Sequence, residues 1–322
     1  MKYSKNKKKC IFRDYENLST EIGYVATIGN YDGVHIGHQY ILKQVTQYQK
    51  KTRLPSLIIT FEPSPSEYFL QTRAAPRLTS FREKAELFFK YGIENILCLR
   101  FDKDLANMPA QRFIQEILIN KLHIKYLVTG DDFAFGNNRI GGFEMLQEYT
   151  AQDLITEKIP SISAGGTKAS STHIRQALAA GNFKLAKLLL GRPYSISGHV
   201  AHGKHLGHLL GFPTANIYLR QKTTPLNGVY AAKVKGIGSK TLNSLVNIGF
   251  RPTVDGTNFI LEVHILDFNK NIYGKKLKIE FLQKIRDEKK FANLELLRQQ
   301  IAADVDKGKT LFKNKGNFGV VE

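Results

Sequence analysis

Tryptophan is absent from the 322 residues, and methionine and cysteine are scarce, at three and two. The two thiols, Cys10 and Cys98, are too few for a disulfide framework and lack metal-ligand spacing. No run approaches the roughly 18 uninterrupted apolar residues of a membrane-spanning helix. The opening MKYSKNKKKC has the charge of a signal peptide but runs into IFRDYENL without an apolar core of about 7–15 residues, so a cytoplasmic location is expected. Acidic residues are also in deficit, 28 against 47 Lys and Arg, for a formal net charge of +19. Such an excess favours anionic partners: nucleic acid, an acidic membrane surface or phosphorylated small molecules. Neither an Arg-rich helix nor an RNP-type aromatic motif supports nucleic acid. Lys2, Lys5, Lys7, Lys8 and Lys9 read as a solvated, mobile tail, so residues 1–19 are taken as a basic extension.

The remainder divides into two halves with different patterning. Over residues 20–190, compact apolar runs at Tyr24–Ile28, Leu57–Phe61, Ile96–Arg100 and Tyr126–Thr129 alternate with helical patterns. One helical face carries Ile41, Leu42 and Val45; another carries Phe113, Ile114, Ile117 and Leu118. This alternation predicts a doubly wound, Rossmann-like α/β domain with ligands at the carboxyl ends of its strands. Two short helices, split at Ala180-Gly181, close this half. Over 191–322 strand-like segments follow one another between Gly, Asn and Pro turns, which predicts an antiparallel β-barrel. A terminal helix follows, with Phe291, Leu294, Leu297, Ile301 and Val305 on one stripe and Asn293 as N-cap.

The first chemical constellation is Gly29-Asn30-Tyr31-Asp32-Gly33-Val34-His35-Ile36-Gly37-His38, joining a strand to a helix. Gly29 and Gly33 permit a tight turn, and Asp32 is the expected cap of the helix. His35 and His38, three apart, share a face of the first turn, where backbone N–H groups add positive potential for a triphosphate. Gly37 removes a side chain that would block a ligand. Two ordinary surface histidines beside a glycine are the bland alternative, but a chance His-x-Gly-His has a probability of about one in fifty on composition. A zinc site lacks a third ligand at suitable spacing.

With Thr60-Phe61-Glu62-Pro63, Pro76-Arg77-Leu78-Thr79-Ser80, Gly130-Asp131-Asp132-Phe133 and Ser170-Ser171-Thr172-His173-Ile174-Arg175, the chain resembles the HxGH nucleotidyltransferases, and among them the bacterial bifunctional riboflavin kinase/FAD synthetases. The resemblance implies that His35 and His38 hold ATP phosphates during adenylyl transfer, with Gly29, Asn30 and Asp32 beside them. It also implies that Ser170, Thr172 and Arg175 engage the nucleotide. Taken alone, that last element reads rather as an N-cap serine or threonine and an exposed helical Arg. Ser64 stands where the family commonly has His. Asp132 stands where some members have Asn, and is expected against a base, ribose or flavin edge because an acid repels phosphate.

In the second half, Gly198, Gly203, Gly207 and Gly211 precede Phe212-Pro213-Thr214-Ala215-Asn216. Gly198-x4-Gly203-Lys204 is not a Walker A loop, since His205 replaces the magnesium-binding Ser or Thr and no helix pattern follows. Glycines such as Gly203 and Gly207 could still wrap ATP phosphates with backbone amides. Pro213-Thr214-Ala215-Asn216 resembles the riboflavin kinase motif, which implies that Thr214 and Asn216 bind Mg2+ carried by ATP; neutral oxygen donors suit that ion. Leu261-Glu262-Val263-His264-Ile265 reads as a strand with Glu262 and His264 facing away from the apolar residues. The resemblance makes Glu262 the base pointing into a ligand mouth; a solvated outer-face Glu is the alternative. It places Arg286 on the flavin side, and His208 where the family is often Arg.

The expected activity is therefore riboflavin to FMN in the C-terminal half and FMN to FAD in the N-terminal half, with ATP, riboflavin and FMN as small-molecule partners. Two further readings stay open in the sequence: a kinase whose altered N-terminal half has lost adenylyl transfer, and a basic flavin- or RNA-binding regulator. Self-association is also left open.

Overall fold

A computed structural model describes residues 9–19, 21–201, 210–218, 224–253 and 256–314, without the side chains of 218 and 250–260. Gly203, Gly207, His208 and the lysines before Lys9 lie outside the described residues. Contacts divide the chain into two units. One runs to Ser171 without Pro76–Leu78; the other takes Pro76–Leu78 and Thr172 onward.

The first unit is built on a six-stranded sheet in the order β1-β4-β3-β2-β5-β6, with every pairing parallel. Its strands are β1 (Cys10–Phe12), β2 (Tyr24–Ile28), β3 (Ser56–Phe61), β4 (Asn95–Leu99), β5 (Ile124–Gly130) and β6 (Ile155–Ile159). Continuous apolar runs fit this topology because helices cover both faces. Leu57, Ile59, Leu97 and Leu99 pack into one core with Phe113, Ile114 and Ile117. Ile58 and Ile96 enter the other with Leu42 and Val45 of the helix Ile36–Thr52 and Phe88 of the helix Phe81–Lys90. Each fully buried Leu, Ile or Phe contributes roughly 1.5–3 kcal/mol, so the two cores hold the sheet from both sides. The strand order reverses at β2, whose neighbours are β3 and β5. A crevice at the carboxyl ends of such strands is where ligands bind.

Part of the basic extension joins the sheet as β1. Cys10, Ile11 and Phe12 pair with Asn95, Ile96 and Leu97, and Leu18 is buried in the core. The Arg13 guanidinium lies 4.8 Å from the Phe81 ring and donates to Cys98 Sγ at 3.1 Å. β7 (Ser163–Ala164) and β8 (Thr167–Lys168) form a small antiparallel hairpin.

The second unit is a closed antiparallel barrel in the order β10-β13-β12-β11-β14-β9. Its strands are β9 (Ser195–Ala201), β10 (Ala215–Tyr218), β11 (Gly228–Lys235), β12 (Leu242–Thr253), β13 (Gly256–Ile265) and β14 (Lys276–Arg286). The helices Ser171–Ala179 and Phe183–Leu190 are separated at Gly181, whose φ of 72° suits glycine. Phe183, Tyr230 and Phe281 make edge-to-face contacts, with Tyr230 and Phe281 buried. Val229, Ala231, Leu245 and Ile285 pack instead with Val305 and Ile301 of the terminal helix Leu294–Asn314. Asn293 Oδ1 accepts the Leu296 N–H at 2.9 Å, as an N-cap does. Leu294, expected on the buried stripe, is 61% exposed, because the apolar contact begins a turn later.

Candidate active sites

In the first unit, β2 delivers a turn held in a demanding conformation. Tyr31 and Val34 adopt φ of 51° and 42°, a region that costs non-glycine residues free energy unless neighbours enforce it. Several bonds do so. The Tyr31 hydroxyl bonds Thr27 Oγ1, and burial pushes that phenol's pKa well above its ordinary value. Gly33 N–H donates to Thr79 Oγ1 at 2.9 Å, while Asp32 Oδ1 accepts from Thr79 N–H at 3.0 Å and its hydroxyl at 3.1 Å. Ser171 Oγ donates to the Asp32 carbonyl at 2.8 Å.

Asp32 is therefore a turn anchor and not the helix cap. The cap is His35, whose Nδ1 accepts the His38 N–H at 3.3 Å. In the neutral ring that acceptor role places the proton on Nε2. The His35 and His38 rings stack with centroids 3.5 Å apart and planes at 18°. A Cβ at Gly37 would lie 3.2 Å from the His35 ring, so glycine here spares the imidazole itself. The N–H groups of Ile36 and Gly37 open the helix without intrahelical acceptors. Two stacked imidazoles thus stand at a helix start beside the strand-order reversal.

Other expected residues are more dispersed. Gly29 N–H bonds the Ile59 carbonyl, and the Asn30 carbonyl accepts from Lys84 Nζ at 3.1 Å. Ser170 is half-buried and Thr172 exposed at the start of the helix Ser171–Ala179. Arg175 Nε donates to the Pro76 carbonyl at 2.6 Å. Asp132 is exposed after β5. Its neighbour Asp131 takes the Ser161 hydroxyl at 2.6 Å, which with Lys168 holds its carboxyl below the usual range. Ser64 caps the helix Pro65–Leu70 in a capping box with Glu67. Two features escaped the sequence reading. Lys84 is buried, although only its place among Phe81, Ala85 and Phe88 on the apolar stripe could have marked it. At the carboxyl ends of β3 and β4, Phe61, Tyr68, Phe69 and Phe101 make edge-on contacts, with Phe69 63% exposed.

In the second unit, a cavity of about 370 Å³ is lined by Thr214, Asn247, Glu262, His264, Arg286 and residues of the terminal helix. It lies on the outer wall of the barrel, not in its mouth. Asn216 and Asn247 stand opposite Glu262 on the two flanking strands, and opposed residues share a sheet face. Leu261 and Val263, pointing inward, are buried. Glu262 is nevertheless no solvated outer-face acid: it is half-buried, and Asn247 Nδ2 donates to its Oε2 at 3.4 Å. His264 Nδ1 meets the Pro213 carbonyl at 2.9 Å, tying β13 to the segment that carries Thr214. Asn216 is buried, with Thr214 two residues before it. Arg286 Nε bonds both Asp304 oxygens, at 3.0 and 2.9 Å, and the carboxylate is buried. The guanidinium therefore fastens the terminal helix while it lines the cavity.

Family models for FAD synthetase and riboflavin kinase match residues 18–173 and 190–312. The bifunctional riboflavin kinase/FMN adenylyltransferase of Escherichia coli K12 is 44% identical over 300 residues, covering 91% of this chain and 95% of that one. The protein of the same description from Pseudomonas fluorescens is 42% identical over 304 residues, covering 94% and 97%. The chain belongs to this family. A solved structure described as a macrolide-efflux protein from Streptococcus pneumoniae shares the fold at a TM-score of 0.77 and 30% identity, covering 94% of this chain and 98% of that one. No helix among the described residues is long and apolar enough to cross a membrane.

Proposed function

We infer that the protein phosphorylates riboflavin to FMN in the barrel unit and adenylylates FMN to FAD, with release of pyrophosphate, in the parallel-sheet unit. Residues 191–322 are assigned to the phosphorylation and residues 20–190 to the adenylylation. The observation that carries the reading is the stacked His35–His38 pair at the start of its helix, in one chain with the Glu262 cavity.

The two reactions ask for different chemistry. A riboflavin hydroxyl is a poor nucleophile at neutral pH, and Glu262 accepts its proton as phosphoryl transfer proceeds. Asn247 orients that carboxylate, and His264 holds the segment before β10. The side-chain oxygens of Thr214 and Asn216 fit Mg2+, which takes few protein donors beside substrate phosphates. When bound, the ion would neutralise charge on the transferring phosphoryl group. Arg286 borders the flavin side, and backbone amides at Gly203 and Gly207 are assigned to the ATP phosphates.

FMN is already an anion, so its attack on the α-phosphorus of ATP needs alignment and charge neutralisation more than a base. His35 Nε2–H, His38 and the helix N–H groups supply that at the phosphates, with Ser170, Thr172 and Arg175 assigned to the nucleotide. Gly29, Asn30 and Asp32 shape the turn. The aromatic cluster of half-buried Phe61, Tyr68 and Phe101 with exposed Phe69 suits the planar flavin, and Asp132 a base, ribose or flavin edge. Location in the cytoplasm completes the proposal. Incubation with riboflavin, ATP and Mg2+ tests it: both FMN and FAD should form, whereas accumulation of FMN alone would support a kinase with a silent adenylyltransferase half.

A further inference from the structure

Lys84 is a buried cation in a place the chemistry above has not used. Its side chain is 5% exposed, its Nζ donates to the Asn30 carbonyl at 3.1 Å, and Glu62 Oε1 lies 3.7 Å away. Taking an ammonium out of water is unfavourable unless partners compensate, so a lysine among Phe81, Ala85 and Phe88 is costly packing. The carbonyl it holds belongs to the turn between β2 and the histidine-bearing helix.

Holding that carbonyl has a geometric consequence. In a trans peptide the carbonyl and the following N–H point in opposite directions. With the Asn30 oxygen drawn to Lys84, the Tyr31 N–H is turned away from the ammonium. The neighbouring turn donors are engaged: Gly33 N–H by Thr79 Oγ1 and Val34 N–H by the Tyr31 carbonyl. Among the described residues the Tyr31 N–H donates no hydrogen bond. Lys84 thereby decides which face of the peptide carries a donor, beside two residues held at positive φ.

We propose that Lys84 is a positioning residue for adenylyl transfer, fixing the Asn30–Tyr31 peptide so that its N–H and the following helix start are presented to an ATP phosphate oxygen. The proposal rests on the assignment of adenylyl transfer to this unit. Lys84 touches the turn and not the reacting atoms. Misplacing an aligned group by about 1 Å can cost on the order of 10²-fold in rate, which sets the expected effect.

The test uses the full-length protein with K84M, which keeps the volume, K84Q, which keeps a neutral donor, and K84R, which keeps a cation. Adenylylation of supplied FMN, riboflavin phosphorylation and amide hydrogen exchange over residues 29–34 with and without ATP are measured. K84M should lower adenylylation kcat by about 30–100-fold with KM for FMN within about twofold, leave phosphorylation within about twofold, and lose the ATP-dependent protection of the turn. K84R should recover to within about fivefold of wild type. If K84M loses both activities through unfolding, the comparison moves to K84R against K84Q, with K84R expected at least tenfold faster. Adenylylation by K84M at the wild-type rate overturns the proposal, as does equal impairment of K84R and K84Q with phosphorylation intact. Wild-type protein that makes no FAD would instead strike the underlying assignment.

Discussion

Asn216 lies directly opposite Glu262 in the β10–β13 ladder, so a neutral oxygen donor and a carboxylate share one face of the barrel wall. Asn247 flanks the same carboxylate from β12. In the proposed reaction the Asn216 oxygen would serve the metal and Glu262 would take the alcohol's proton. E262Q keeps the shape and removes the proposed base. Its riboflavin phosphorylation should fall by about 10²–10⁴-fold, with FAD formation from supplied FMN within about twofold of wild type, as chromatography of the two flavins would show.

Gly37 offers a steric test of the other site. An added Cβ would come 3.2 Å from the His35 ring, tighter than an ordinary contact, so the imidazole must yield by a few tenths of an ångström. G37A should slow FMN adenylylation by about tenfold or more through lost alignment while riboflavin phosphorylation continues.

The Arg286–Asp304 pair gives a stability prediction. The side chains are 16% and 7% exposed, and Gln300 also donates to Asp304. Removing one member of a buried pair strands the other charge, at a cost of about 3–5 kcal/mol. D304A should therefore lower the urea midpoint of the barrel unit and raise KM for riboflavin, because Arg286 loses the partner that holds it at the cavity.

Ser64 is a helix cap here, so its effect should be on stability more than chemistry. S64A should cost about 1 kcal/mol and leave FAD formation within about threefold of wild type. A loss of FAD formation without a change in thermal stability would assign Ser64 a direct role.

Much of this was legible because periodicity and motif spacing are local. Runs such as Leu57–Phe61 mark strands buried on both faces, and the structure places Leu57 and Ile58 in opposite cores. The His35–His38 spacing marked a shared face, and alternation along β13 separated Glu262 from Leu261 and Val263. What the sequence hid depends on distant partners. β1 is three residues long and declares itself only beside β4. Asp32 has the chemistry of a cap, but Thr79, 47 residues away, takes its carboxylate and leaves capping to His35. The bond from Lys84 to Asn30 spans 54 residues, and Arg286 meets Asp304 only once the terminal helix covers the barrel. The site beneath that helix is likewise invisible to alternation, which separates the two faces of a strand but not barrel mouth from covered outer wall.

The central claim is that two independent sites in one chain act in succession, and trans-complementation tests it most directly. Full-length E262Q and H38N are incubated separately and together with riboflavin, ATP and Mg2+, and flavins are resolved over time. Separately, E262Q should leave riboflavin largely unconverted and H38N should stop at FMN. Together they should make FAD, because FMN released by one variant is the substrate of the other. A mixture that makes no FAD, although E262Q alone adenylylates supplied FMN, would contradict the account.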